Sequence, residues 1–296
     1  MKNLAPIALF VYVRVSTLKK TIKHLRKNNL SKFSNLYIFS DGYKSDLDKK
    51  NVNNVRRYLK KIKGFNKIKI IFRKRNLGLA KNIVRGVSEV IQKYEKTIVL
   101  EDDVIVSPNF LCFMNLSLDK FKNEKKIWHI SGWNYDLKFP KLNYNTFFWR
   151  GMNCWGWATW KNRWNKYRKN PKYLIKNWTK NKINKFNFDN SNNYWSQVMR
   201  NYNQSIDTWA IFWYSSIFNN EGLCLSPVKT LTKNIGNDNF STHQPSKVSK
   251  SLLINKKMNF TFSKKIKENK ICFGYIKKEL LSKLSFKSKI KRFLNI

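Results

Sequence analysis

The sequence predicts an α/β fold with a mostly parallel central sheet flanked by helices. Over the first hundred residues, short apolar runs rich in β-branched and aromatic side chains alternate with stretches whose apolar residues recur at helical spacing. That β-α-β rhythm requires right-handed crossovers and places helices on both faces of the sheet. A chain of 296 residues, 42% of them hydrophobic, can bury such a core without cross-links or structural metals. Polar residues gather where each apolar run ends, the edge at which open α/β sheets hold ligands.

Each element has its own local reason. Residues 7–13 (IALFVYV) form an uninterrupted apolar run suited to a central strand rather than a signal peptide, because Arg14 interrupts it and no small-residue cleavage site follows. Ser16 or Thr17 is expected to cap a helix that carries Leu18, Ile22 and Leu25 on one face. Residues 35–42 read as a second strand ending in a turn, 52–63 as a basic helix and Ile68–Phe72 as a third strand. A helix over 79–94 leads to a fourth strand, 97–103, which ends in three carboxylates. A helix follows Pro108, and residues 126–133 (KIWHISGW) read as a strand entering a loop. Residues 164–193 are expected to be a helical or irregular insertion, 194–219 two helices, and 222–236 a short strand and loop.

Charge is the unusual quantity: 60 Lys plus Arg against 17 Asp plus Glu gives a formal net charge of +43. That excludes an acidic binding module and leaves nucleic acid, acidic lipid or a phosphate-rich substrate as partners. Cys112, Cys154, Cys224 and Cys272 are widely spaced, which argues against disulfides and a zinc ribbon and fits a reducing compartment. No apolar run approaches a membrane span. From Lys250 onward, 14 Lys or Arg face two Glu across 47 residues, a tail suited to an anionic bilayer or to a solvated cap.

The scarce acids are more specific. Glu101, Asp102 and Asp103 stand together after a buried strand, where a cation or hydrogen-bond donors must offset their repulsion. Mn2+ or Mg2+ suits such oxygen ligands and can bridge them to a diphosphate. The alternative is a solvated strand-end turn. Asp41, before Gly42, can accept hydrogen bonds from a base or ribose, or belong to an ordinary turn, and Arg14 can meet a base, a phosphate or solvent. Arg75, Asn76 and Lys81 lie in RKRNLGLAKN beside Gly78 and a helix start, where a diphosphate or plain solvent fits. It is neither a Walker loop nor a dinucleotide loop.

Seven of eleven tryptophans fall within residues 128–164. Trp133, Trp155 and Trp157 sit near glycines in what reads as a shaped loop, available for stacking on sugar or for the core. Asp207, alone in the aromatic segment SIDTWAIFW, suits a general base or a helix cap. His243 can bind metal or phosphate or be an ordinary loop residue, while His24 and His129 receive no role.

Taken in order, the run ending at Arg14, FSDG, RNLGLAKN, VLEDDVIVSPNF, GMNCWGWATWKNRW, SIDTWAIFW and PVKTLTKNIGNDNFSTH resemble the nucleotide-sugar glycosyltransferases of GT-A fold. The resemblance is to the family-2 type and the N-acetylglucosaminyltransferase I-like enzymes, over residues 5–245. It implies a single Rossmann-like GT-A domain at 1–248, with a donor nucleotide-binding half at 1–107 and an acceptor-binding half at 108–248. Residues 249–296 then form a basic amphipathic extension. It also implies that Asp41 contacts the base with Arg14 nearby, Asp103 is the principal metal ligand and Asp102 lies near the ribose or sugar. Asp207 would deprotonate the acceptor hydroxyl in an inverting transfer, and His243 would lie near the diphosphate or metal. Glu101, Trp133, Trp155 and Trp157 are the candidate sugar- or acceptor-facing residues.

The implied cofactor is Mn2+ or Mg2+, the donor a nucleotide-diphospho-sugar, with a UDP-sugar first, and the acceptor a glycan or lipid-linked saccharide. The implied setting is the cytoplasmic face of a bacterial membrane, in lipopolysaccharide or capsule synthesis. Two rivals remain at this point: a nucleic-acid-binding protein, which the spread of charge and the missing RNA- or DNA-binding motifs disfavour, and a nucleotidyltransferase, which could use similar acids.

Overall fold

The structure is a computed structural model, which describes residues 3–236 and 258–283. Ten strands and ten helices are present among the described residues. The first part of the chain runs β1 (Ile7–Val11), α1 (Val15–Arg26), β2 (Leu36–Ser40), α2 (Asp46–Leu59), β3 (Ile68–Phe72), α3 (Gly78–Tyr94), β4 (Lys96–Glu101) and β5 (Val104–Val106). There follow α4 (Phe110–Lys120), β6 (Ile127–Ser131), β7 (Thr146–Trp149), β8 (Trp157–Trp160), α5 (Lys161–Trp164), α6 (Pro171–Asn177) and α7 (Lys180–Phe186). The chain continues through α8 (Trp195–Tyr202), α9 (Ala210–Asn219), β9 (Leu223–Pro227), β10 (Thr232–Asn234) and α10 (Lys270–Ser282).

Eight strands form one sheet in the order β3-β2-β1-β4-β8-β6-β9-β7. β3, β2, β1 and β4 are parallel neighbours, as are β6 and β9, while β8 and β7 run antiparallel to their partners. Period-two alternation divides the core between the faces. Ile7, Leu9 and Val11 of β1 pack with Leu18, Ile22 and Leu25 of α1, whereas Ala8 and Phe10 pack with Ile83 and Val87 of α3. Both faces are thus covered, as a parallel sheet requires.

Three sequence expectations need correction. No side chain caps α1; its N-cap is Arg14, whose guanidinium is engaged with carboxylates instead. The tryptophan segment is not a loop throughout, because β7 and β8 flank it as fully buried strands. Gly156 and buried rings on both faces hide the alternation that marks a half-exposed strand. The basic extension also has a folded part: Met258, Phe260, Phe262 and Ile266 pack on one face of the sheet, and Cys272, Phe273 and Ile276 on the other. Arg150 clasps this segment through Glu268, with Nε and Nη2 donating at 2.8 and 2.6 Å.

Candidate active site

The site grows from the ends of β1, β2 and β4. Beyond the ladder, where β1 stops at Val11, Tyr12 N donates to Asp102 Oδ2 at 3.1 Å. Arg14 Nη2 reaches Asp102 Oδ1 at 2.9 Å and Asp103 Oδ2 at 2.8 Å. Thr21, one turn into α1, donates to the Asp102 carbonyl at 3.0 Å. The triplet is therefore pinned by the first βα unit, and the sequence-predicted Arg14, Asp102 and Asp103 do come together.

Enclosure and mutual repulsion dominate the electrostatics. Burial first, then the Asp103 and Asp102 charges, push the Glu101 carboxyl up to about 8. Burial raises Asp102 to about 6 against the pull of Arg14. Asp103 is 7% exposed, and its Oδ1 accepts no hydrogen bond among the described residues. Ile235 N donates to the Asp103 carbonyl at 2.7 Å, and a Cβ on Gly236 would stand 2.3 Å from Asp103 Oδ2. Gly236 thus closes one side of the carboxylate, a role that sequence reading missed although the residue ends a predicted strand-loop.

A second wall is made where β2 and β3 end. Asp41 is 4% exposed; its Oδ1 accepts from Gly42 N and Leu77 N, each at 2.9 Å. Burial raises its pKa, and the backbone N–H groups of Leu77, Gly42 and Gly78 oppose that rise. Asn76 Nδ2 donates to the Gly42 carbonyl at 2.7 Å. The approach is so close that a Cβ at Gly42 would lie 2.4 Å from the Arg75 carbonyl carbon. Arg56, another residue missed from sequence, ties the loop together by donating to the Asp41 and Arg73 carbonyls. Arg75 and Lys81 are exposed beside this wall.

The aromatic candidates divide. Trp133 and Trp155 are partly exposed and meet edge-to-face at 5.1 Å. Burial raises the neighbouring Cys154 thiol, with the Glu101 and Asp103 charges adding to it, so this loop lies beside the triplet. Trp157, by contrast, is 1% exposed and stacked between His129 and Trp209; it is a core ring with no face left for a sugar. Asp207 is exposed and ion-paired with Lys169. It does not cap α9, whose N-cap is Trp209, and among the described residues no contact joins it to the triplet. His243 lies outside the described residues.

The residues fit a divalent cation. An enclosed carboxylate oxygen without a donor is costly unless a cation reaches it. Among the described residues no three His, Cys, Asp or Glu side chains converge on one point. Of these residues, Asp103 would be the one to hold a hard cation through Oδ1.

Among curated proteins none matches the sequence. Solved structures that align with part of the chain include residues 1–349 of TarS from S. aureus, at 11% identity and TM-score 0.36, covering 52% of this chain and 47% of that one. The mannosyltransferase PcManGT from Pyrobaculum calidifontis, solved with GDP-Man and Mn2+, aligns at 8% identity and TM-score 0.30 over 43% of this chain and 35% of its own. HddC from Yersinia pseudotuberculosis aligns at 13% identity and TM-score 0.29, over 43% of this chain and 57% of that one. The chain spans less than two thirds of each. The GNT-I family matches residues 1–201, the stretch that carries the triplet, the Asp41 wall and the aromatic loop. This chain belongs to the GNT-I family.

Proposed function

We propose that this chain is a glycosyltransferase of GT-A type that moves a sugar from a nucleotide-diphospho-sugar to a hydroxyl of a surface glycan or lipid-linked saccharide, with inversion and with Mn2+ or Mg2+ at the site. The observation that carries the reading is the enclosed, donor-free Oδ1 of Asp103 beside an Arg14-bridged pair of carboxylates. Asp103 would hold the ion; when bound, it supplies charge neutralisation for the diphosphate.

The chain's own residues do the rest. Asp41, fixed by two backbone N–H donors, presents its remaining carboxylate oxygen to a base or ribose. Asp102, anchored by Tyr12 N and Arg14, lies toward ribose or sugar, and Glu101 toward the sugar or acceptor. Arg75, Asn76 and Lys81 border the same wall and offer donors to phosphate. Trp133 and Trp155 shield the sugar side from water. The acceptor oxygen attacks the anomeric carbon, the bond from that carbon to the diphosphate oxygen breaks, and Asp207 takes the hydroxyl proton. Lys169 holds Asp207 in place until acceptor arrives.

A UDP-sugar is the first donor to try. Peripheral attachment to anionic membrane, at its cytoplasmic face, would rest on charge. Cys272, Phe273 and Ile276 face the protein, while Ile271 and Tyr275 of the same helix are exposed beside its lysines.

The test incubates the full chain with a nucleotide-sugar panel, Mn2+ and saccharide acceptors, and reads phosphorus products by NMR. Nucleoside diphosphate is the expected product; pyrophosphate would mean nucleotidyl transfer instead. Asp207→Asn should keep donor binding and slow transfer by roughly 100-fold or more. Transfer at the wild-type rate would remove Asp207 from the mechanism.

A further inference from the structure

A cavity of about 380 Å³ opens beside the C-terminal half of α9, away from the carboxylate triplet. We propose that it binds an anionic saccharide. Its floor is buried and includes Leu174 and Ser216, and its rim carries Lys166, Arg168, Tyr173 and Asn219, all exposed. The volume lies within the range of small-molecule sites, roughly 300–1,000 Å³.

The hydrogen bonds at the rim decide what kind of ligand it suits. Asn170 Oδ1 accepts from Tyr173 N at 2.9 Å, and Asn219 Oδ1 accepts from Lys182 Nζ at 2.7 Å. Both amide oxygens are spent on the protein, which leaves their NH2 groups as donors for a ligand. Arg168 N donates to Ser216 Oγ at 3.1 Å, while its Nη1 donates to the Asn165 and Tyr167 carbonyls at 3.0 and 2.8 Å, so the arginine borders the cavity with that nitrogen already engaged. Lys166 adds an ammonium, and no carboxylate lines the cavity. The field extends beyond it: residues 161–188 hold ten Lys or Arg and no Asp or Glu. A solvated lysine face alone would not gather amides and an aromatic ring around a concavity. Tyr173, half exposed, offers a flat apolar face to the C–H side of a pyranose, while the donors suit its hydroxyls and a phosphate or carboxylate substituent.

The position also bears on function. Lys169, adjacent in sequence to Arg168, is the residue paired with Asp207, and its ammonium lies over the Phe212 ring of α9. The candidate base precedes α9 and the cavity borders that helix's C-terminal half, so a charged acceptor could be held at a distance from its reacting end. That use rests on the transfer reading above; the binding itself does not.

The test titrates the full chain with glucose 6-phosphate, glucose and inorganic phosphate by saturation-transfer NMR and calorimetry. Glucose 6-phosphate should bind at least ~5-fold tighter than either alternative, the equivalent of one added hydrogen bond. Tyr173→Ala and Lys166→Ala should each weaken it by about the same ~5-fold factor while melting temperature and nucleotide-diphosphate affinity stay unchanged. Equal binding of phosphate alone, or wild-type affinity in both variants, would overturn the proposal. So would loss of glucose 6-phosphate binding in Asp103→Asn, which would place the ligand in the donor site. Absence of nucleotide-sugar binding by the wild-type chain would count against the transfer reading and leave the cavity result standing.

Discussion

The guanidinium of Arg14 lies 2.8 Å from Asp103 Oδ2, and the same nitrogen reaches Asp102 at 2.9 Å. A cation from the end of β1 thus holds two of three crowded acids from the end of β4, without engaging Oδ1 of Asp103. The pairing reconciles two demands that conflict in a buried site: stability without substrate, and a carboxylate oxygen still open to a divalent ion.

Gly236→Ala should test that geometry without touching a charge. The new methyl would stand 2.3 Å from Asp103 Oδ2 and 2.7 Å from Arg14 Nη1, so the carboxylate must move. Donor affinity measured by calorimetry with Mn2+ should fall by about 10-fold or more, the equivalent of about 1.4 kcal/mol. Unchanged affinity would mean that Asp103 has freedom the packing does not show.

Glu101→Gln should change the pH dependence of stability in a metal-free buffer. The folded Glu101 keeps its proton up to about 8, whereas a carboxyl in the unfolded chain loses it near ~4.5. Between those values the folded state binds more protons, so this group's contribution to stability declines as pH rises. The Gln variant should show a flatter profile and gain on the order of a few kcal/mol above pH ~8. Chemical denaturation at pH 5 and pH 9 in EDTA provides the check.

Asp41→Asn should separate folding from recognition. An amide oxygen can still accept from Gly42 N and Leu77 N, and it spares the buried site a charge. The melting temperature should hold or rise while nucleotide affinity falls by about 10-fold, as a charge-assisted bond to the base or ribose is lost. A parallel loss of folding and binding would instead make Asp41 a structural residue.

His129 should make the protein acid-labile. Trp213 Nε1 donates to its Nδ1 at 3.2 Å, which puts the proton on Nε2, 3.0 Å from the Asn153 carbonyl. Burial holds the folded ring's pKa down to about 3, while the unfolded ring titrates near ~6.5. The unfolded state therefore takes up the extra proton as pH falls, and about 2 kcal/mol should be lost between pH 6.5 and 5 from this group. His129→Gln should be less stable at neutral pH but show a shallower acid limb in urea titrations.

Much of this architecture was legible in the chain. Residues 7–13, 35–42, 68–72 and 97–103 mark the four parallel strands through their short β-branched and aromatic runs, the most apolar being β1 inside the sheet, while the edge strand β3 carries Lys69. Their polar termini, Arg14, Asp41 and the acidic triplet, mark the site because side chains at those ends have no sheet partner to satisfy them. β7 and β8 were hidden, since rings buried on both faces leave no alternation to read. The Gly236 contact joins residues more than 130 positions apart and has no local signature. The glycines near Trp157 suggest an open loop for stacking, yet Gly156 packs against Thr232, Leu100 and Phe110 and the Trp157 ring lies against Trp209 and Trp213. In the basic extension the apolar anchors are too sparse for periodicity to show, although Phe260, Phe262 and Phe273 each find an aromatic partner.

The central claim, that Asp103 and a divalent ion together hold a nucleotide diphosphate, is tested most directly by calorimetry of nucleotide-sugar binding with and without Mn2+. The wild-type chain should bind at least ~10-fold tighter with the metal, and Asp103→Asn should abolish that difference while leaving the melting temperature within a few degrees. Equal affinity with and without Mn2+ in the wild type, or an undiminished metal effect in Asp103→Asn, would contradict the account.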